Sequence, residues 1–424
     1  MKEDFLHYLW KYKKFSTSGL STVNGERVQL IHVGQHNFNS GPDFFNAQLK
    51  IDNQLWAGNV EIHIKASDWY VHHHEVDSNY DNVILHVVWE HDVDIFRKDN
   101  SAIPTLELKQ YVSISALKGY HHLFSKEQRW INCEDDFASV DDFVIQNWLE
   151  RLFFERLERK SSQIEVLLEG SKNDWEAVLF KLLAKNFGLK VNGEAFFSLA
   201  SSLDFAVIRK IQTKEHVLEA MLFGQSGLLE TDVEDEYVVT LQKEYQFLKQ
   251  KFNLTQNHVT PLQFFRLRPP NFPTIRLSQL AQVYVKNQNL FSRIIEAKTK
   301  QEFYDLLTVK TSEYWETHYT FKKSSKKVSK STSKNFIDLL IINTIIPIKF
   351  SYSKISGKNY NEDLIQLINE LKPEQNAITK KFESLKPISK SALQTQGLIQ
   401  LKNEYCNLKK CMQCAVGSTI LNRF

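Results

Sequence analysis

Two short segments of this 424-residue chain carry side chains suited to holding a divalent cation. Gly41-Pro42-Asp43 sets an acid directly after a proline, and Glu61-Ile62-His63-Ile64-Lys65 alternates an acid, an imidazole and an amine with isoleucines. On a β-strand, residues i, i+2 and i+4 share a face, so Glu61, His63 and Lys65 project together while Val60, Ile62 and Ile64 turn toward apolar packing. Three polar side chains on one face of a central strand are costly to bury without partners. Asp43 and Glu61 supply the oxygen ligands that a hard ion such as Mg²⁺ takes. Lys65 or His63 would orient or deprotonate an attacking water and offset charge on a phosphate. The plainer reading is a Glu61–Lys65 ion pair on a half-exposed strand.

Histidine is concentrated around these segments, with nine of the fourteen in the first 91 residues. The stretch after the strand reads Ser67-Asp68-Trp69-Tyr70-Val71-His72-His73-His74-Glu75-Val76-Asp77. His72, His73 and His74 could support the metal site, meet a substrate phosphate, bind a transition metal themselves, or simply face solvent. His86 sits inside an apolar run and reads as a core histidine.

The chain has four cysteines, and three of them close it as Cys406-x₄-Cys411-x₂-Cys414. Cys133 is the remote fourth. So few cysteines in a long chain exclude a secreted disulfide framework. The spacing suits a thiolate metal site: a [4Fe–4S] cluster takes four cysteines, and structural Zn²⁺ held by four is the competitor. Lys409 and Lys410 would offset the thiolate charge. Unligated thiols are the remaining reading.

A third segment, Phe264-Phe265-Arg266-Leu267-Arg268-Pro269-Pro270-Asn271-Phe272-Pro273-Thr274-Ile275-Arg276, combines stiff prolines with planar cations. Arg266, Arg268 and Arg276 suit phosphate-backbone contacts, and Asn271 or Phe272 a base. The alternative is a connector whose arginines pair locally. The stretch 322–334 is rich in Lys and Ser (Lys322, Lys323, Lys326, Lys327, Lys330, Lys334) and reads as a flexible, solvated loop.

The elements that must position these residues follow from the hydrophobic period. Residues 3–15 have helical spacing. Period two then marks strands at 27–33, 45–51 and 55–66, with Asn53-Gln54 in a turn; 83–89 is a continuous apolar strand and 101–108 an edge strand that tolerates Pro104. From about Val140 the period is helical, with Asp141-Asp142 capping a helix through Arg159 and further helices at 173–187, 194–201, 214–222, 236–252, 276–284, 289–297 and 300–317. The expected fold is an α/β N-terminal domain with a mixed sheet over 1–135, a helical domain over 136–321, the 322–334 loop, and a helical region over 335–424 ending in the cysteines. Content of 42% hydrophobic and 24% charged residues is that of an ordinary soluble protein, and a net charge of +3 does not by itself demand a polyanion. The start of the chain has no signal-peptide pattern, and Phe336 to Phe350 is short for a membrane span, so a cytoplasmic protein with no membrane partner is expected. There is no Walker loop, dinucleotide fingerprint or Gly-x-Ser-x-Gly elbow.

The Pro42-Asp43 turn followed by acid-x-basic on a strand, within a helix–three strands–helix–strand order, resembles the PD-(D/E)xK nuclease superfamily over residues 1–110. That resemblance implies a restriction-endonuclease-like fold with Asp43 and Glu61 on catalytic Mg²⁺. It leaves two alignments open: His63 in the place of the lysine, or His63 in the place of the acid before Lys65. Some nucleases of that superfamily also join one distant cysteine to a C-terminal trio. Asn39-Ser40-Gly41-Pro42-Asp43-Phe44, Gly58-Asn59-Val60-Glu61-Ile62-His63, Ser67-Asp68-Trp69, Arg266-Leu267-Arg268-Pro269, Asn271-Phe272-Pro273 and the cysteine trio together resemble an uncharacterised bacterial domain of unknown function. The expected activity is metal-dependent phosphodiester hydrolysis on DNA or RNA. The alternative is a non-catalytic nucleic-acid or ribonucleoprotein binding protein with a structural metal.

Overall fold

A computed structural model of the protein describes residues 1–37, 39–124, 129–232, 234–321, 323–358 and 361–423. The expected shift from period two to period 3.6 divides it: a mixed sheet comes first and a mostly helical region follows. The chain forms two compact units, Met1–Trp148 with Lys381–Pro387 and Ile399–Phe424, and Leu149–Lys380 with Ile388–Leu398.

The first unit begins with α1 (Glu3–Lys11), whose buried Phe5, Leu6, Tyr8, Leu9 and Trp10 make one apolar face. Six strands follow: β1 (Val28–His32), β2 (Gln35–His36), β3 (Phe44–Ile51), β4 (Gln54–Lys65), β5 (Val83–Glu90) and β6 (Thr105–Glu107). Their order is β1-β3-β4-β5-β6, with β2 pairing β3. The pairs β1/β3 and β3/β4 are antiparallel, whereas β4/β5 and β5/β6 are parallel. A two-residue turn at Asp52-Asn53 joins β3 to β4, with Asp52 at φ +51°. The short α2 (Asp68–Val71) lies in the crossover from β4 to β5. Strand β5 is covered on both faces and six of its eight residues are buried, which explains its unbroken apolar run.

The second unit is built around one large apolar cluster that includes Phe180, Phe223, Leu280, Trp315 and Ile341. Asp174, Asp204 and Asp235 cap the helices Trp175–Phe187, Phe205–Ile211 and Glu236–Phe252, and Thr299 with Glu302 forms a reciprocal capping box on Lys300–Leu307. The helical segment Lys334–Ser356 is long and apolar enough to span a bilayer by length and composition, and 83% of its most apolar window is buried in the fold. Pro347, which lacks an N–H, follows a π-helical turn at Ile341–Ile345.

Several boundaries differ from expectation, each for a tertiary reason. The helix expected over 300–317 stops at Leu307, because Lys310 pairs with Ser331 and the Val309 N–H donates to Thr332 Oγ1 at 3.1 Å. The Lys/Ser stretch is only partly a solvated loop. Lys330 is buried, and its Nζ donates to the carbonyls of Trp315 and Glu316. Lys322 lies outside the described residues. The region 335–424 is not one body, since Lys381–Pro387 and Ile399–Phe424 belong with the N-terminal sheet. The helix Phe205–Ile211 was not anticipated, although Asp204 was a readable cap.

Glu219 is fully enclosed in the second unit. The hydroxyls of Ser278 and Tyr237 donate to its two oxygens at 2.5 and 2.7 Å. Burial nevertheless pushes its pKa up to about 7. A carboxyl raised in the folded state carries no penalty below its unfolded value and an increasing one as pH rises from there through 7. Glu219→Gln should therefore gain thermal stability relative to wild type as pH rises from about 4.5 to 8, read as the difference in Tm. A difference independent of pH would refute the assignment.

Candidate functional site in the N-terminal unit

The turn that ends in Asp43 is held before its side chain does anything. Gly41 sits at φ +96°, a region that L-residues avoid. The Asn37 amide donates to the carbonyls of Asn39, Ser40 and Pro42 at 3.0 to 3.1 Å, and the Asn37 N–H donates to Asp43 O at 2.7 Å. This clasp delivers Asp43 to the middle of β4. There two bonds cross between the strands: the Asp43 N–H donates to Glu61 Oε2 at 3.1 Å, and the Ile62 N–H donates to Asp43 Oδ2 at 3.0 Å. The two carboxylates are thus locked side by side.

Around Glu61 stand imidazoles. Glu61 Oε1 is 3.3 Å from His74 Nε2 and 3.5 Å from His63 Nε2. His63 Nε2 is 3.1 Å from His72 Nδ1, and His63 Nδ1 is 2.8 Å from His86 Nε2. The ligand atoms of His63, His72 and His74 all lie within 4.8 Å of one another. Donors about 2.0 to 2.1 Å from a tetrahedral ion lie roughly 3.3 Å apart, which is the spacing found around Glu61. His63, His72 and His74 could therefore hold one transition ion, with the Glu61 carboxylate beside two of them. His86 would fix the far nitrogen of His63, as ligating histidines require.

The local backbone explains why two of the three consecutive histidines converge. His73 adopts φ +61° and faces solvent, whereas His74 turns inward and the exposed His72 reaches the buried His63 from the solvent side. His74 stacks on Tyr80 with ring centroids 3.7 Å apart, and fully buried Trp69 packs edge-on against His74 and His86. The Ser67-Asp68-Trp69 motif thus floors the site rather than lining it.

Electrostatics follow from enclosure. Glu61 is 5% exposed and His63 1%. Burial, and next the neighbouring Asp43 charge, push Glu61 up to about 9. Burial lowers His63 to about 3, and the surrounding histidines add to it. Burial also lowers His86. A cation among these atoms would reverse the Glu61 shift and keep His63 neutral, since it favours anionic carboxylate and neutral imidazole.

The expected site residues separate into those that meet and those that do not. Asp43, Glu61, His63, His72 and His74 meet. Lys65 does not: it is exposed, its backbone N–H donates to Asp68 Oδ2 at 2.9 Å, and its charge acts on Asp92. His63, two positions after Glu61, takes the inward place instead. In the second unit Arg276 is buried, donating to Gln279 Oε1 and Asn271 Oδ1 at 2.9 and 2.6 Å with its guanidinium 3.7 Å from the Phe336 ring. Arg276 and Asn271 thus hold each other. Arg266 and Arg268 are exposed beside Phe265, which is 76% exposed. Cys133, Cys406, Cys411 and Cys414 all line one cavity of the first unit. Burial pushes the Cys133 thiol up, and the three other cysteines push it further.

Sequence reasoning missed His7 and gave His86 only a packing role. His7 Nε2 lies 3.2 Å from Asp43 Oδ2 and 3.8 Å from Glu3 Oε1. The signal was present, since Glu3 and His7 are one turn apart on α1. His36 stacks on Phe44 beside it, with centroids 4.8 Å apart.

The chain belongs to the family described as Protein of unknown function (DUF2851), which matches residues 3–377. No curated protein and no solved structure matches it.

Burial opposes charge on His7, but the Asp43 carboxylate 3.2 Å away outweighs it and raises its pKa above 6.5. His36 is lowered to about 4, mainly by burial. The sign of each effect on stability follows. His7 contributes stability that is complete below 6.5 and is lost as pH rises through its folded value, whereas His36 costs stability as pH falls from 6.5 toward 4. In metal-free protein, NMR should show His7 titrating above 6.5 and Asp43→Asn bringing that midpoint down, with His36 silent above about pH 5. An unchanged His7 midpoint in Asp43→Asn would contradict the pairing.

Proposed function

We propose that the chain is a metal-dependent phosphodiesterase acting on nucleic acid, with its active site at Asp43, Glu61, His63, His72 and His74. The observation that carries this reading is the locked Asp43–Glu61 carboxylate pair with imidazole nitrogens packed around Glu61. The helix, antiparallel strands and parallel crossover strand around it support a restriction-endonuclease-like origin for the N-terminal unit. Three imidazoles and a carboxylate suit Mn²⁺ or Zn²⁺ better than the Mg²⁺ expected from the carboxylates alone.

A bound divalent ion would supply Lewis acidity toward a phosphodiester and acidify water. The protein's own residues would do the rest. His63, His72 and His74 would hold the ion, with the Glu61 carboxylate beside it to balance its charge. Asp43 braces Glu61 through its backbone N–H and orients His7 through Oδ2. His7 Nε2, kept protonated by Asp43, is placed to deliver a proton to a departing oxygen. Lys65, turned to solvent, would serve only in attracting the polyanion.

A second reading is a non-catalytic nucleic-acid binding protein, favoured by the exposed Arg266 and Arg268 beside Phe265. Stacking and phosphate contact both suit that trio.

Chelator-stripped protein should be offered Mg²⁺, Mn²⁺ or Zn²⁺ with labelled single- and double-stranded DNA and RNA. The expected result is cleavage restored best by Mn²⁺ or Zn²⁺, with Glu61→Gln and His63→Ala each reducing it about 100-fold or more. Lys65→Ala should cost far less. Salt-sensitive binding without cleavage under any ion would install the second reading. Neither binding nor cleavage would end both.

A further inference from the structure

The four cysteines come from opposite ends of the chain and belong to one unit. Cys133 precedes the helix Asp142–Gly170, and Cys406, Cys411 and Cys414 occupy the turns before the closing helix Ala415–Leu421. None is in a disulfide, and three of the four are buried. They line a half-enclosed cavity of about 20 Å³.

The packing that brings them together leaves no room for a larger residue at Gly417. A Cβ there would lie 2.1 Å from the Cys411 carbonyl oxygen, so only glycine lets the closing helix approach the Cys411 turn. That approach aims the Val416 and Gly417 N–H groups at the Cys414 sulfur. The Asn132 amide reaches the Cys411 sulfur. Lys402, whose Nζ donates to Trp130 O at 2.7 Å, puts its charge near Cys406, and Lys410 lines the cavity wall.

Size decides between the two metals that suit four thiolates. A single Zn²⁺ at about 2.3 Å from each sulfur requires sulfurs roughly 3.8 Å apart. Among the described residues, no three cysteine sulfurs lie within 4.8 Å of one another, although the histidine ligands of the other site do. The sulfurs instead surround a void. A cubane cluster binds one thiolate at each of its four iron corners, which spreads the sulfurs and fills the space between them. Hydrogen bonds to cysteine sulfur are a characteristic support of such clusters.

We propose that Cys133, Cys406, Cys411 and Cys414 hold one [4Fe–4S] cluster. Loading is a ligand exchange: four thiols lose their protons, four iron–thiolate bonds form to a preformed core, and the thiolates of a carrier leave, with no net electron transfer. The cluster ties the segment before Asp142 to the end of the chain within the first unit. This inference is independent of the proposed hydrolysis, and either stands if the other fails.

The decisive measurement is iron and acid-labile sulfide in anaerobically purified full-length protein. About four of each per chain are expected, in brown protein whose colour bleaches in air or with a strong chelator. Sulfide separates this site from iron bound by histidines, which carries none. Cys133→Ser and Cys411→Ser should each retain roughly tenfold less iron and sulfide. If those variants fail to fold, the wild-type count still decides. Stoichiometric zinc without sulfide overturns the proposal. So does wild-type protein that gains no cluster after anaerobic incubation with ferric iron, sulfide and excess dithiol, the dithiol supplying the electrons that reduce the ferric iron. A Cys133→Ser protein that keeps full iron and sulfide overturns the four-cysteine assignment.

Discussion

A carboxylate cannot be taken out of water without something to answer its charge, and the N-terminal unit is organised around that constraint at Glu61. Glu61 sits in the middle of the longest strand and is 5% exposed. Its answer comes from three directions. The Asp43 backbone donates from β3, His74 approaches from the crossover, and His63 shares its face of β4. Each depends on a separate piece of local structure: the glycine-proline turn, the left-handed His73, and the alternation of the strand. Asp43 adds a second negative charge instead of removing the first. A buried Glu61 beside the Asp43 charge and the imidazoles of His63 and His74 is what a cation stabilises, and apolar packing alone does not compensate it.

The second unit meets the same constraint at buried cations. Lys349 donates to the carbonyls of Ile294, Ile295 and Ala297, and Lys330 to those of Trp315 and Glu316. Arg276 lies flat on Phe336 and holds Asn271. The two lysines satisfy backbone carbonyls at helix ends and loops, where orphan acceptors are costly, and Arg276 satisfies side-chain amide oxygens. A polar residue in a helical core is therefore more often fastening the chain than meeting a ligand. Of the three arginines in the arginine–proline segment, Arg266 and Arg268 face water.

Much of the architecture was legible. Strands β3, β4 and β5 fall within a residue or two of their expected limits, because period-two alternation and an unbroken apolar run are local signals. The helix Glu236–Phe252 matches its expected span, with Asp235 as its cap. The helix after Lys300 was misjudged at its end, since a bridge from Lys310 to a segment twenty-one residues away ended it. No window of sequence contains that pairing. The divide between the two units was equally hidden, because the last residues of the chain return to the first sheet.

The amino-acid sequence by itself determined which chemistry was available: an acid after Pro42, an acid and imidazole alternating on β4, three consecutive histidines, and four cysteines in a thiolate-site spacing. Residue type and strand period are enough for that, as both act over a few residues. Only the tertiary structure decided which of those groups meet. It joined His74 to Glu61 and His72 to His63 and turned His73 away, brought His7 from α1 to Asp43, left Lys65 in solvent, and closed Cys133 onto the cysteines at the far end. Convergence of this kind depends on long-range packing and on single backbone conformations, such as the φ of +61° at His73, that no spacing rule encodes.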